Sequence, residues 1–377
     1  MLRTAYKFIR YDRAKSIGII MAIVISIFLI GQQLSLMFYL MGLMGNLVGN
    51  APVGEQELWV IERQSNNINA VNTLDRRLVQ QIGSLPGVRR THPVVLAPAQ
   101  ASFLDGKTAS ITLVGAEQPN FIMGPTADKV MAGDLSALTQ PYTVSAEFFS
   151  AKSWGTTVTV GKTIEINGKQ ATINLVTRNA QAFGASLMYT SIENARILGN
   201  VAPSNVSLII AELEPATDKQ QLIADIHQLF PQLRAWDAKA LQQSTVREIL
   251  ITSNMGMSFG TLVLFAMISG FFIIGLTLYS SALDRIKDYG TLKAIGAKNR
   301  YVIRLIITQA VLYALVGYSV AMLLLVGFKF GVIRTGLVIA ITPAFACFLL
   351  LVTLLISVGG SLFAVRRIAR LEPASVF

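Results

Sequence analysis

Cysteine and histidine are nearly missing from the 377 residues, with one of the first (Cys347) and two of the second (His92 and His227). A lone cysteine excludes a disulfide within the chain and any cysteine-based metal site. Cys347 falls in an apolar run and reads as a small packing residue. Neither histidine sits in an H-E-x-x-H or G-x-S-x-G pattern, and both read as solvated or partly packed. Hydrolysis therefore lacks its residues, and no catalytic residue, metal or cofactor is expected. The chain reads as a non-enzyme.

Charge is scarce as well, at 14% of residues against 53% hydrophobic. That is too apolar for a soluble domain and fits a membrane protein with one sizeable aqueous domain. The net charge of +11 is unevenly spread. Residues 1–16, 284–304 and 366–377 hold fourteen Lys/Arg against four acids, whereas 45–250 holds sixteen against seventeen. The excess lies beside apolar runs, where it meets anionic lipid headgroups and fixes orientation, so nucleic acid is not an expected partner. No ionisable residue interrupts the interior of any long apolar run, which excludes carriers driven by protons or sodium. A nucleotide site is missing too. Gly155 to Thr163, GTTVTVGKT, puts five residues between its glycines where a phosphate loop needs four, and its alternation reads as strand leading to a hairpin.

What is present is organised by four apolar runs. Residues 1–16 place Arg3, Lys7 and Arg10 at helical spacing opposite Leu2, Ala5, Tyr6 and Ile9, a helix suited to the cytoplasmic headgroup layer. Residues 17–48 form a charge-free first span long enough to protrude as a stalk, with Gln32 and Gln33 turned to a protein neighbour. Residues 49–236 read as a soluble α+β domain. Its expected strands are Leu58–Glu62, His92–Leu96, Ile111–Gly115, Thr156–Val160, Thr163–Ile166, Ala171–Val176 and Val206–Glu212, with a hairpin at Asn167-Gly168. Helices are expected over Leu74–Leu85 and Asp218–Phe230. The order suggests two small βαβ-like lobes.

Residues 237–283 contain no strong breaker and read as one rod, a second stalk running into the second span. A loop follows at 284–300, then a third span at 301–328, an outer loop at 329–336 and a fourth span at 337–365, softened by Pro343. The tail 366–377 is anchored inside by Arg366, Arg367 and Arg370. The fold class is thus an α-helical membrane protein with four transmembrane helices and a large α+β extracytoplasmic domain between the first two. Both termini are placed in the cytoplasm.

Between the second and third spans lies DRIKDYGTLKAIGAKNRYVIR, residues 284–304, whose six basic residues assign it to the cytoplasm. Tyr289–Ile295 can make two helical turns with Leu292 and Ile295 on one face. Gly290 loosens the start of that helix. Gly296 suits the left-handed residue that closes it, and Asn299 can cap the run beginning at Tyr301. Composition alone reads this as an ordinary basic membrane loop. The string DYGTLKAIGA, however, resembles the cytoplasmic loop of the MacB/FtsX-like ABC permeases of the mechanotransmission class, nearest the DevC-like and HrtB-like branch. Asp288 stands where that branch usually has Glu.

The resemblance implies an ATPase-coupling helix carried by Asp288, Gly290, Leu292, Lys293, Ile295, Gly296 and Ala297. It implies a separate ABC ATPase, a second copy of the chain, and in some relatives a periplasmic membrane-fusion adaptor with an outer-membrane duct. The implied role is the permease subunit of an exporter in the bacterial plasma membrane, expelling a hydrophobic or amphipathic substrate. A haem exporter, a lipoprotein-releasing permease and an FtsX-like signalling regulator share the layout. Met37, Met41, Met44, Met255 and Met257 mark the outer ends of the first two spans and could line a soft access surface for substrate, or simply pack. Gly256 and Gly260 form a G-x-x-x-G pair suited to a dimer seam or to ordinary helix contact.

Overall fold

The structure, a computed structural model, describes residues 2–11, 13–52, 54, 56–118, 121–184 and 186–369. Met1, Asp12, Arg370 and the rest of the expected tail to 377 lie outside the described residues. The chain divides into two compact units, residues 1–39 with 256–377, and residues 40–255.

At the start, α1 (Leu2–Tyr11) precedes α2 (Arg13–Met44), and α3 (Asn46–Gly49) is a single turn. The mixed unit follows with β1 (Glu57–Glu62), β2 (Leu74–Asp75), α4 (Arg77–Gly83), β3 (Val88–Ser102) and β4 (Thr108–Ala116). Next come β5 (Val130–Gly133), β6 (Thr143–Glu147), α5 (Phe148–Ser153), β7 (Thr163–Ile166), β8 (Lys169–Thr177), β9 (Ser186–Ser191) and α6 (Ile192–Gly199). The unit ends with β10 (Asn205–Val206), β11 (Leu208–Leu213), α7 (Lys219–Leu229), β12 (Leu233–Asp237) and α8 (Ala238–Thr252). Helices α9 (Met255–Asp284), α10 (Ile286–Ala294), α11 (Asn299–Val332) and α12 (Pro343–Ala369) complete the chain.

Strands β12, β1, β11 and β3 are neighbours in that order and all antiparallel. With α4 between β1 and β3 and α7 between β11 and β12, they make a split β-α-β-β-α-β unit. Its sheet is covered on both faces, which is why β1 is an unbroken apolar run. Leu58 and Val60 meet Leu78, Ile82, Leu222 and Ile226 from the two helices. Trp59 and Ile61 meet Leu47, Val48, Ala51 and Leu241 on the other face. A second lobe, residues 103–207, is inserted between β3 and β11. It grows from the far half of β3, with β4 parallel to β9, β6 parallel to β8, and a core of its own around Ile111, Ile164, Ile173 and Met188. The two lobes share one ten-stranded sheet, so they are not two separate βαβ units.

The hairpin is present, with Asn167 at φ 49° and Gly168 at φ 79°, the left-handed pair that a two-residue turn needs. Several expectations are corrected. Leu74–Leu85 is not one helix: Leu74 and Asp75 pair with Val206 and Asn205, and the Asp75 carboxylate accepts the Arg77 amide at 2.8 Å before α4 begins. Thr156–Val160 is not a strand. The Lys162 ammonium holds Thr156 Oγ1 at 2.8 Å and the Thr157 carbonyl at 2.5 Å, which gathers the segment into a loop. That leaves no phosphate cradle.

The rod expected over 237–283 is broken. Asn254, at φ 55°, takes the left-handed conformation just after α8, which ends at Thr252. Span boundaries move as well. The fourth span does not begin at Leu337 and is not softened by Pro343: Pro343 is the first residue of α12, and Thr342 Oγ1 accepts the Phe345 amide at 3.2 Å. Gly336, at φ 89°, closes the turn after α11. Asn299 is not a cap but the first residue of α11, preceded by Lys298.

Candidate coupling surface

Within the unit formed by residues 1–39 and 256–377, α2, α9, α11 and α12 are each long and apolar enough to cross a membrane. Their joint core holds Ile23, Ile27 and Ile30 of α2 with Ile274, Tyr313, Leu349 and Val352. Helix α9 leaves the most large apolar side chains uncovered, among them Phe265 at 66% and Leu276 at 63% exposure.

The short helix α10 lies between α9 and α11 in sequence. Arg285, buried, precedes it, and Asp284 at the end of α9 is paired with Lys15 at 3.2 Å. Two side chains fasten it. Tyr289 is buried among Ala282, Val302, Leu305 and Ile306, and its hydroxyl donates to Gln309 Oε1 at 3.1 Å. Burial pushes its phenol pKa up to about 12. Leu292, half-buried, packs on the same cluster. The helix closes as expected on Gly296, whose φ of 102° lets its amide reach the Lys293 carbonyl at 3.0 Å while the Ala297 amide reaches that of Leu292 at 3.0 Å. A side chain at Gly296 would be strained there.

This sorts the seven expected coupling residues. Asp288, Ile295 and Gly296 face outward, Lys293 and Ala297 are half-covered, and Gly290 and Leu292 turn inward. Leu292 and Ile295 do not share a face: Ile295 is 80% exposed at the C-cap. Lys287 and Thr291, not singled out from the sequence, join the outward side, and Tyr289 is the anchor that sequence reasoning missed. Its signal was available in the three-residue spacing to Leu292.

The methionines divide likewise. Met44 is fully buried and Met37 packs against the core of the membrane helices, whereas Met41 and Met255 are half-buried and Met257 is 72% exposed. Gly260 is exposed with nothing within 4 Å of a Cβ built on it, and Gly256 is half-buried. A close approach of two helix backbones lies elsewhere: a Cβ on Gly360 of α12 would stand 2.7 Å from the Gly275 Cα of α9. Among the described residues, no group of three His, Cys, Asp or Glu is placed to hold a metal ion.

No curated protein matches the chain. Among solved structures, it is similar to the periplasmic region of MacB from Actinobacillus actinomycetemcomitans, at 12% identity and a TM-score of 0.37 over 51% of this chain and 93% of that one. It is also similar to the extracellular domain of the ABC-type transporter YknZ from Gram-positive bacteria, at 14% identity and a TM-score of 0.35 over 48% of this chain and 99% of that one. Overlaps this low carry no argument. Residues 245–373, about a third of the sequence, match the family model described as FtsX-like permease C-terminal. The long helices α9, α11 and α12, and the short helix α10 between them, thus make up the region that is similar to FtsX-like permease C-terminal domains, in a multi-pass membrane protein.

Proposed function

We propose that this chain is the permease subunit of an ABC exporter and that α10 is where a separate ATPase pushes on it. The observation that carries the reading is the build of α10. A nine-residue helix in an FtsX-like permease region is fastened inward by Tyr289 and Leu292 and presents Asp288, Thr291 and Ile295 outward. An uncovered isoleucine beside a carboxylate and a hydroxyl suits a small protein contact. Because Tyr289 is bonded to α11, a push on α10 reaches the long helices instead of bending the loop. The basic flank assigns this side to the cytoplasm and residues 40–255 to the outer face of a bacterial plasma membrane.

Motion passed outward does not travel along one continuous helix, since α8 ends at Thr252 and α9 begins at Met255. The mixed domain then expels a hydrophobic or amphipathic cargo; of the methionine set, Met41, Met255 and Met257 each keep exposed surface. An adaptor and outer-membrane duct complete the path where a second membrane exists. The reading predicts that Ile295→Asp lowers co-purification of an ATPase subunit by tenfold or more, since the contact loses the roughly 1.5–3 kcal/mol of a buried isoleucine side chain. Undiminished co-purification with intact membrane insertion would remove α10 as the contact.

A second copy of the chain is the natural cover for the exposed face of α9. Gly260→Leu is expected to reduce the cross-linked dimer of full-length protein in membranes, because a leucine there keeps a neighbouring backbone from close approach. An unchanged dimer band would move the seam away from Gly260.

A further inference from the structure

Within residues 40–255, His92 is 3% exposed on β3 and has a carboxylate against each of its ring nitrogens. Nε2 lies 3.1 Å from Glu212 Oε1 on β11, and Nδ1 lies 3.6 Å from Oε2 of Glu117, the residue that follows β4. Arg89, 2.6 Å from the other Glu212 oxygen, holds that carboxyl below the ordinary glutamate range. An ionised carboxylate only accepts hydrogen bonds, so Glu212 claims the proton on Nε2. A neutral imidazole has no second proton, and its bare Nδ1 then turns a lone pair toward Glu117. A doubly protonated ring offers an N–H to each carboxylate instead.

Glu117 has an alternative. Its side chain is 34% exposed and lines a groove of about 530 Å³ with Arg90, Thr139, Glu193 and Ile197. Arg90 stands two residues from His92, on the same side of β3, and is exposed with no ion pair among the described residues. Beyond Glu212 lie Glu57, directly across from it on β1, and Lys219 of α7, whose charge reaches Glu57. Glu57 makes no ion pair with the ring among the described residues.

We propose that His92 is a proton-operated latch for the Glu117 side chain. With two protons the ring holds that carboxylate inward, and Arg90 is left unopposed in the groove. With one proton the lone pair on Nδ1 repels it, and Glu117 turns out to water and to Arg90. The groove is therefore more positive in acid than in base, although no strand or loop has to move. The latch stands on these contacts alone; that the pH it responds to is the pH outside the membrane rests on the permease reading.

Nitrogen NMR of the full-length protein in detergent, with isotope-labelled histidine, tests it, since the chain has only two histidines. The ring signals that survive in His227→Gln are those of His92. Both nitrogens should carry protons at about pH 5, and Nε2 alone at about pH 8. Nδ1 protonated at the higher pH, or a ring unchanged across that range, overturns the latch. The carboxylate itself is followed by carbodiimide labelling of Glu117 relative to Glu193 in the same groove. His92→Gln keeps an N–H for Glu212 but takes no second proton, so at about pH 6 it should raise that ratio about fivefold over the native protein. An equal ratio overturns the latch. Where the variant does not fold, the native ratio decides: a rise of about fivefold between about pH 5 and about pH 7 supports the latch, and a flat ratio overturns it. Each readout is taken on the purified chain, so a failure to bind any ATPase would count against the permease reading alone.

Discussion

Gly360→Leu is expected to force α9 and α12 apart and to be among the most damaging single changes in the membrane helices. The first atom of the new side chain would lie 2.7 Å from the Gly275 Cα and 3.0 Å from the Gly275 amide nitrogen. Both are backbone atoms of another helix, so no rotamer change can clear them. Relief requires the helices to separate, which strips contacts from a core that extends through Ile274 and Ile356. Overpacking of this kind costs about 3 kcal/mol or more. Gly359→Leu is the control, since a Cβ there meets a ring edge of Phe271 at 3.1 Å, a side chain that can turn. Thermal unfolding of the purified protein in detergent should show Gly360→Leu melting well below Gly359→Leu. Equal melting temperatures would mean that the close crossing is not a fixed feature of the molecule.

That crossing was not legible from the residues, although both glycines were. Gly256 and Gly260 draw the eye because their spacing is a known pattern, but nothing in a single sequence says which glycine of one helix faces which glycine of another. Features fixed within a few residues were readable. The left-handed turns at Asn167-Gly168 and Gly296 follow from residue type alone, because few side chains tolerate that backbone.

Features set by tertiary partners were misjudged. β3 carries Pro93 and Pro98, which argue against a long strand, yet the strand is paired with β11 over 88–94 and with β4 over 94–102. Each proline stands where one flank is unpaired, so its missing amide breaks no second ladder. The α8–α9 break has neither glycine nor proline between the helices, and turns instead on Asn254 in the left-handed conformation. Pro343 was misread in the opposite way: with Thr342 before it, the pair starts a helix. At α10 the three-residue spacing of Tyr289 and Leu292 marks the inward side, but Ile295, three further on, falls at the C-cap and turns outward.

The second large effect is expected at Glu147, a residue with no motif around it. Its side chain is fully buried at the end of β6 and accepts from the Thr177 hydroxyl at 2.7 Å and the amides of Asn179 and Ala180. Glu147→Leu leaves three buried donors facing hydrocarbon, at about 1–3 kcal/mol for each that finds no water. A loss near 4 kcal/mol is expected, read from chemical unfolding of the full-length protein in detergent through the fluorescence of Trp154 and Trp236. A loss under about 1 kcal/mol would mean that the loop at 178–183 is held by something other than this carboxylate.

Glu147→Gln asks a different question. Burial raises the Glu147 pKa above its ordinary value of 4.5, against the hydrogen bonds that lower it. A carboxyl whose folded pKa lies above its unfolded one contributes most stability below the unfolded value and loses it as pH rises through the folded value. The stability of the native protein minus that of Glu147→Gln should therefore be largest below pH 4.5 and fall as the pH is raised above it. Carboxylates held low by partners, such as Asp75 beside Arg77 at about 2, act in the opposite sense but are common to both proteins and cancel in the difference. A difference that rises with pH would mean that the three donors outweigh burial and that the loop is held most tightly by the ionised carboxylate.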